Sequence, residues 1–320
     1  MDRARSIMVV IPIFNEESTI LPLIERINAV LAQESCSFYS ILLVDDGSID
    51  ASWERIREAT VNQPDRVRAV RLRRNFGKSD ALAIGFLHCD AEIVITIDSD
   101  LQDDPGEIPK FLRKLDEGFD LVSGWKQRRQ DPLLKRLSSR LFNFITSRIT
   151  KVPLHDFNCG FKAYRCQVVK SLQIQGEMHR FIPVIAAHLG FRVGEITVNH
   201  LPRKHGISKF GSERYVRGLL DLFTVLATTR YLKRPGHLFG GLGILVGFVG
   251  FVALVYLTGI WALDLGGIGQ RPLLFFGIMC ILLAAQLISL GIVAELSLSR
   301  SRTQPDELQV RETLGFPGPD

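Results

Sequence analysis

The chain has 320 residues, 46% of them apolar, a net charge of +5 and a positive mean hydropathy, which is high for a purely soluble enzyme. Its five cysteines (36, 89, 159, 166 and 280) are odd in number, scattered and free of any Cys-x-x-Cys pair, which excludes a disulfide frame and a spaced zinc site. The length allows one large or two ordinary domains with ample core. The basic balance points to an anionic partner, with nucleic acid, membrane surface and phosphorylated substrate all compatible at this level.

Met1 to Ser6 are short and polar and lead straight into a strand, so no signal peptide is read and the first domain is expected in the cytoplasm. Ile7 to Pro12 form a buried-type strand, followed by a helical pattern through Val30 and Leu31. Ile41–Val44 is a second strand, closed by Asp45-Asp46-Gly47-Ser48, and a helix over Ala51–Ala59 leads to a third strand at Val67–Leu72. After Arg73-Arg74-Asn75-Phe76-Gly77-Lys78 comes an Ala/Gly-rich helix through Leu87, and then a β-branched fourth strand from Ile93. That strand breaks into Asp98-Ser99-Asp100-Leu101-Gln102-Asp103-Asp104-Pro105. Alternating strands and helices with short loops predict an α/β fold with a mostly parallel sheet. Ligands on such sheets bind beyond the carboxyl ends of the strands, and all four polar loops lie at that edge.

Asp98 and Asp100, two apart at a strand exit, can aim two carboxylates at one small cation, with Gln102 adding a neutral oxygen. Hard oxygen donors of this kind suit Mg²⁺ or Mn²⁺ when substrate phosphates complete the shell. The competing reading is helix capping, since Asp103, Asp104 and Pro105 have helix-start character. Asp45 and Asp46 equally fit an Asx-type turn with Gly47. Two nucleotide motifs are ruled out: no Gly-x-Gly-x-x-Gly follows the first strand, and the residue five before Gly77 is Leu72 rather than the glycine of a phosphate-cradling loop.

Further on, Lys126-Gln127-Arg128-Arg129 precedes a helix from Leu133 with an apolar stripe at Leu134, Leu137, Leu141, Ile145 and Ile149. Arg136, Ser139, Arg140, Asn143 and Ser147 lie on its other faces, which suits either a helix on lipid headgroups or an ordinary solvated surface. His155-Asp156-Phe157-Asn158-Cys159-Gly160 is a compact polar turn, in which Asp156 could also cap the next helix. His200 to Phe210 is a Gly-punctuated basic loop carrying Arg203 and Lys209, readable as a juxtamembrane polybasic patch. His155, His200 and His205 lack metal-site spacing and read as turn and surface residues. Residues 211–236 form an amphipathic juxtamembrane segment, with Glu213, Arg217, Asp221, Thr224 and Thr228 along one face. Two uncharged apolar runs, about 238–263 and 272–294, each exceed the roughly 20 residues a membrane span needs. Gly236, Gly240, Gly243 and Gly247 offer a close helix contact. Lys233 and Arg234 before the first span, with Arg300 and Arg302 after the second, place both outer ends and both termini in the cytoplasm, with a disordered tail over 298–320.

Val10-Ile11-Pro12-Ile13-Phe14-Asn15-Glu16-Glu17, Val44-Asp45-Asp46-Gly47-Ser48, Arg74-Asn75-Phe76-Gly77-Lys78 and Asp98-Ser99-Asp100-Leu101-Gln102, in that order, resemble the family 2 glycosyltransferases of GT-A fold. Within these the chain is most similar to the polyisoprenyl-phosphate glycosyltransferases, which include dolichol-phosphate mannose synthases and bactoprenol glucosyltransferases. The resemblance implies a catalytic domain over 1–210, with Pro12, Asn15, Glu16 and Lys78 around the nucleotide sugar and Asp46, aided by Asp45, accepting from the base. It puts Asp98, Asp100 and Gln102 on a divalent metal and the diphosphate. Lys126, Arg128, Lys135, Arg136 and Ser139 fall near the acceptor phosphate, Asp156 near the attacking group, and Arg203 and Lys209 over the leaving diphosphate. Catalytic weight then rests on Asp98, Asp100 and Asp156. A prenyl phosphate oxygen is already anionic near neutral pH, so Asp156 is expected to position more than deprotonate. The implied reaction is inverting transfer of a hexose, with UDP-glucose the expected donor, to a polyprenyl phosphate at the cytoplasmic leaflet of a bacterial-type inner membrane. The implied partners are nucleotide sugar, prenyl lipid and membrane, with no nucleic acid and with a homo-oligomer compatible. A processive polysaccharide synthase would need a Gln-x-x-Arg-Trp run, and the tryptophans at 53, 125 and 261 provide none. A non-catalytic scaffold or lipid carrier is the other alternative.

Overall fold

Ile7, Met8, Val9, Val10 and Ile11 are consecutive and buried, so β1 (Arg5–Ile13) can only run through the middle of a sheet covered on both faces. This computed structural model describes residues 5–34, 36–127, 143–148, 150–172, 174, 178–201, 235–263, 266–267, 269, 271–300 and 310–315. The chain divides into two units, one built on a sheet and one on two long helices.

In the sheet unit, β1 pairs in parallel with β2 (Cys36–Asp45) and with β4 (Ile93–Thr96), and β2 pairs in parallel with β3 (Val67–Leu72). Beyond β4 lies β6 (Lys162–Arg165), antiparallel both to β4 and to β5 (Leu121–Trp125), and β5 pairs in parallel with β7 (Val193–Thr197). Alternation along β1 sorts the core into two layers. Ile7, Val9, Ile11 and Ile13 pack with α1 (Ile20–Leu31), α2 (Ser52–Asn62) and α4 (Ile108–Asp116). Met8 and Val10 pack with α3 (Lys78–Leu87), α5 (Cys166–Ser171) and α6 (Ile182–His188). Pro12 lies past the last β4 partner of β1, so its missing N–H removes no ladder bond. The carboxyl ends of β1–β5 and β7 and the start of β6 share one edge.

The mostly parallel α/β expectation holds for β1–β4, while the antiparallel flank adds to it. β2 begins at Cys36, five residues ahead of the apolar run, because its polar start pairs through the main chain with β1. The tail departs from the disorder expected of it: β8 (Val310–Leu314) pairs antiparallel with β3, Leu314 opposite Ala69, and closes that edge. Strand pairing of this kind is a main-chain interaction, which the polar composition of 298–320 does not announce.

The second unit consists of α7 (Pro235–Ala262) and α8 (Pro272–Arg300), whose stretches Phe239–Ala262 and Pro272–Leu296 are long and apolar enough to cross a membrane. The helices touch where side chains are absent. A Cβ on Gly243 would lie 2.9 Å from Ile288 Cγ1, and one on Gly250 would lie 2.7 Å from Cys280 Cβ. Gly240 faces open space, so the glycine contact runs over Gly243, Gly247 and Gly250, displaced from the expected set. The 211–234 part of the juxtamembrane segment lies outside the described residues.

Ending the chain at Thr303 deletes β8 and leaves the β3 edge unpaired. Thermal unfolding of the detergent-solubilised protein is expected to shift down by about 2–4 °C for each kcal/mol lost. An unchanged midpoint would show that β8 contributes nothing to the sheet.

Candidate active site

The exits of β1 and β2 are stitched together. Asn15 sits in the left-handed region (φ 54), which Asn tolerates better than most residues. Its Oδ1 accepts from the Ile49 amide at 2.9 Å, and its own N–H donates to Ser48 Oγ at 2.9 Å. The Glu16 amide donates to Ser52 Oγ at 2.9 Å. Asp45, fully buried, accepts from the Ser48 amide at 3.0 Å and pairs with Arg71 Nε at 3.1 Å. Burial pushes its carboxyl up, against the pull of Ser48 and Arg71. Asp45 therefore takes the turn role, and Asp46 a different one. Asp46 accepts from the amides of Phe76 (2.8 Å) and Gly77 (2.9 Å), holding the loop that delivers Lys78 to the head of α3. Burial pushes Asp46 up to about 6, although both amides favour the carboxylate. Gly47 (φ 70) is required at this crossing, since a Cβ there would overlap the Arg74 backbone.

Lys78 Nζ is ion-paired with Asp98 Oδ1 at the exit of β4. Burial alone would raise the Asp98 carboxyl, but the ammoniums of Lys78, Lys126 and Lys162 outweigh it and hold the group at about 2. Asp100 Oδ1 accepts from the Gln102 amide at 3.2 Å across Leu101, whose φ of 59 marks a strained apex. The Gln102 carbonyl accepts from the Leu201 amide at 2.9 Å, and Asp103 forms a bridge with His200, tying this loop to the chain after β7. The capping reading belongs to Asp104, whose Oδ1 accepts from the Gly106 amide at 3.1 Å. Asp103 is fully buried and pairs with Lys126 at 2.6 Å. Burial pushes Asp103 up, and burial would lower Lys126 were it not outweighed by the charge of Asp103, which keeps Lys126 an ammonium. Lys126, expected on the acceptor phosphate, is thus a nine-tenths-buried member of the charge cluster beneath the acidic loop.

The turn with Asp156 packs against Asp98 from the β6 side. A Cβ on Gly160 would overlap the Asp98 carboxylate, so glycine there lets the two approach. Asp156 is buried, and its Oδ1 accepts from the Asn158 amide at 3.1 Å. Three further groups had no functional reading on sequence grounds. Lys162 is buried and donates to the Cys159 carbonyl, and burial pushes it down. Glu195, on β7, accepts from the main-chain amides of His155 and Asp156, each at 3.0 Å. His179 meets Ser79 Oγ through its amide at 3.0 Å and through Nδ1 at 2.9 Å. Burial, helped by Lys78, pushes His179 well below 6.5, so it stands neutral beside the Lys78–Asp98 pair. A charged residue inside a short strand is the available sequence signal for Lys162 and Glu195.

Arg128, Lys135, Arg136, Ser139, Arg203 and Lys209 lie outside the described residues. In the helical stretch 143–148, Asn143, expected off the apolar stripe, is buried, and Ile145, expected on it, is half-buried. Among the described residues, no group of three or more His, Cys, Asp or Glu side chains could itself hold a metal ion. Two carboxylates and an amide oxygen are the hard donor types that a divalent cation takes when a diphosphate completes its shell.

The sequence profile of Glycosyl transferase family 2 matches residues 8–173. Dodecaprenyl-phosphate galacturonate synthase of Rhizobium johnstonii is 40% identical over 292 residues, covering 90% of this chain and 86% of that protein. Undecaprenyl-phosphate 4-deoxy-4-formamido-L-arabinose transferase of Edwardsiella ictaluri is 37% identical over 292 residues, covering 90% and 87%. Among solved structures, glucosyl-3-phosphoglycerate synthase of Mycobacterium tuberculosis with Mn²⁺, UDP-glucose and phosphoglyceric acid matches with a TM-score of 0.53 at 20% identity, over 70% of this chain and 79% of that one. At that identity the likeness is one of fold.

Gly160→Ala is expected to force Asp98 and the turn apart, lowering stability by about 1–3 kcal/mol as overpacking does. The drop should appear in thermal unfolding, and a wild-type midpoint would refute the close packing.

Proposed function

We propose that this chain, which belongs to glycosyl transferase family 2, moves a sugar from a nucleotide diphosphate to a polyprenyl phosphate. The observation that carries this reading is Asp98, ionised between Lys78, Lys126 and Lys162 and packed across Gly160 from the Asp156 turn. The names of the two prenyl-phosphate relatives support the acceptor. For the donor we retain UDP as carrier and UDP-glucose as the sequence-based expectation, with galacturonate as the alternative sugar that the name of the 40%-identical relative brings in.

In this reading, Asp46 accepts from a ring N–H of the base through lone pairs left over from Phe76 and Gly77. Asn15 and Glu16 shape the loop beside it. Asp98, Asp100 and Gln102 would hold Mg²⁺ or Mn²⁺, which supplies positive charge to the departing diphosphate. Lys78 offers a further cation to the same oxygens. The lipid phosphate oxygen forms its bond to the anomeric carbon as the bond to the diphosphate breaks, inverting that centre. Asp156 orients the acceptor, and Lys126 keeps the acidic loop in place. Arg203 and Lys209 are proposed to cover the diphosphate, and Arg128, Lys135, Arg136 and Ser139 to meet the acceptor phosphate.

The apolar helices are proposed to anchor the enzyme in the bilayer that holds its acceptor. β8 follows both helices in sequence yet lies in the same sheet as β1–β7. A chain that leaves the sheet, crosses twice and returns keeps both outer ends on one side. The basic residues at those ends favour the cytoplasm.

Purified protein given undecaprenyl phosphate and labelled UDP-glucose, UDP-galacturonate or the formamido-arabinose donor is expected to yield a lipid-linked sugar with Mn²⁺ or Mg²⁺ and none with EDTA. Asp98→Asn should lower turnover by about 100-fold or more. No lipid-linked product with any donor or metal would leave the scaffold reading.

Binding of UDP should follow the charge of Asp46. Its carboxyl, raised to about 6, is protonated below that pH and loses acceptor capacity. UDP affinity, measured by calorimetry, is therefore expected to rise with pH through 6 and to level off above it. Asp46→Asn should flatten the profile, and an unaltered profile would remove Asp46 from base recognition.

A further inference from the structure

We propose that Glu195 is the positioning residue of the acidic turn, fixing Asp156 through the main chain. The inference rests on the reading of Asp156 given above and adds the group that holds it. Glu195 stands on β7 opposite Ser123 of β5, and its side chain is nine-tenths buried. Its Oε1 accepts from the amides of His155 and Asp156, both at 3.0 Å. Its Oε2 accepts from the same His155 amide at 3.1 Å and meets the ring Nδ1 at 2.8 Å. A carboxylate has no hydrogen to give, so Nδ1 carries the proton and the His155 tautomer is set. The ring is held on its flat side as well, stacked on Trp125 with centroids 4.1 Å apart. Trp125 is in turn anchored, because its carbonyl accepts from the Val198 amide at 3.0 Å.

Two amides and a ring N–H therefore converge on one carboxylate, whose charge a neutral amide does not supply. A glutamine would turn an NH₂ group toward at least one of these donors. Downstream the turn is closed by Asp156 on the Asn158 amide, and by Thr96 Oγ1 donating to the Gly160 carbonyl at 2.8 Å. With the far end fixed to β4 and the near end fixed to β7, Asp156 has one position relative to Asp98. His155, set aside as a surface residue on sequence grounds, is the ring through which Glu195 and Trp125 grip that near end.

The test compares Glu195→Gln, Asp156→Asn and the double variant in the full-length protein, using undecaprenyl phosphate and the labelled UDP-sugar that gives product. Glu195→Gln should lower kcat about 100-fold, as a misplaced group does. KM for the nucleotide sugar and affinity for UDP should stay within about twofold, and the double variant should be no slower than Asp156→Asn by more than about twofold. Hydrogen exchange should speed up at the His155 and Asp156 amides in Glu195→Gln, and stay slow in His155→Ala, where the carboxylate remains. If Glu195→Gln loses UDP binding, Glu195→Asp, which keeps the charge one methylene short, replaces it in the same comparison. Additive effects, or normal kcat in the Glu195 variant beside a slow Asp156→Asn, would overturn the proposal alone. Normal turnover in Asp156→Asn would overturn both it and the reading beneath it.

Discussion

The site depends on keeping one partly buried carboxylate ionised. A carboxylate taken out of water reverts to its acid unless opposite charge and hydrogen bonds compensate it, and removing one member of such a set strands the others. Asp98 is compensated by Lys78 from the head of α3, Lys126 from the residue after β5 and Lys162 from the start of β6. Those lysines come from three separate segments, and only the strand order of this sheet brings them to one edge. Asp103, paired with Lys126, and Asp156, whose charge acts on Lys162, add negative charge to the same cluster.

Holding that cluster imposes geometry on the loops around it. Asp46 uses both oxygens on the Phe76 and Gly77 amides, so the residue expected at the base also sets where Lys78 begins α3. Asn15 ties the first loop to the second, and the acidic loop is joined to the chain after β7 by the Leu201 amide and the Asp103–His200 bridge. Gly47 and Gly160 sit at the two places where neighbouring loops come too close for a Cβ. Among the described residues the edge is therefore a set of mutually fixed loops, whose charge is preformed rather than gathered.

Much of this was legible in the sequence, for identifiable reasons. The strands β1, β2 and β4 contain continuous apolar runs, β3 interrupts its own at Arg68 and Arg71, and each strand ends in a compact polar cluster, so the parallel half and its acidic motif stand out. β5, β6 and β7 are four or five residues long and include Ser123, Lys162 and Glu195, polar positions that erase the apolar signal. Lys126 adjoins Arg128 and Arg129 in a basic run, which conceals that it alone among the described residues of that run turns inward to Asp103. His179 is recognisable only once the fold sets it beside Ser79, a hundred residues away in sequence.

The position of β8 bears on how the molecule comes into being. Translation makes β1 to β7 first, then the two apolar helices, and only afterwards the segment that closes the β3 edge. While the helices are being handed to the lipid, that edge carries open amides and carbonyls, the condition in which strands recruit neighbours. Completion of the sheet is thereby deferred until the hairpin has been synthesised, and a chain stalled within the helices carries a catalytic fold with one side still unsealed.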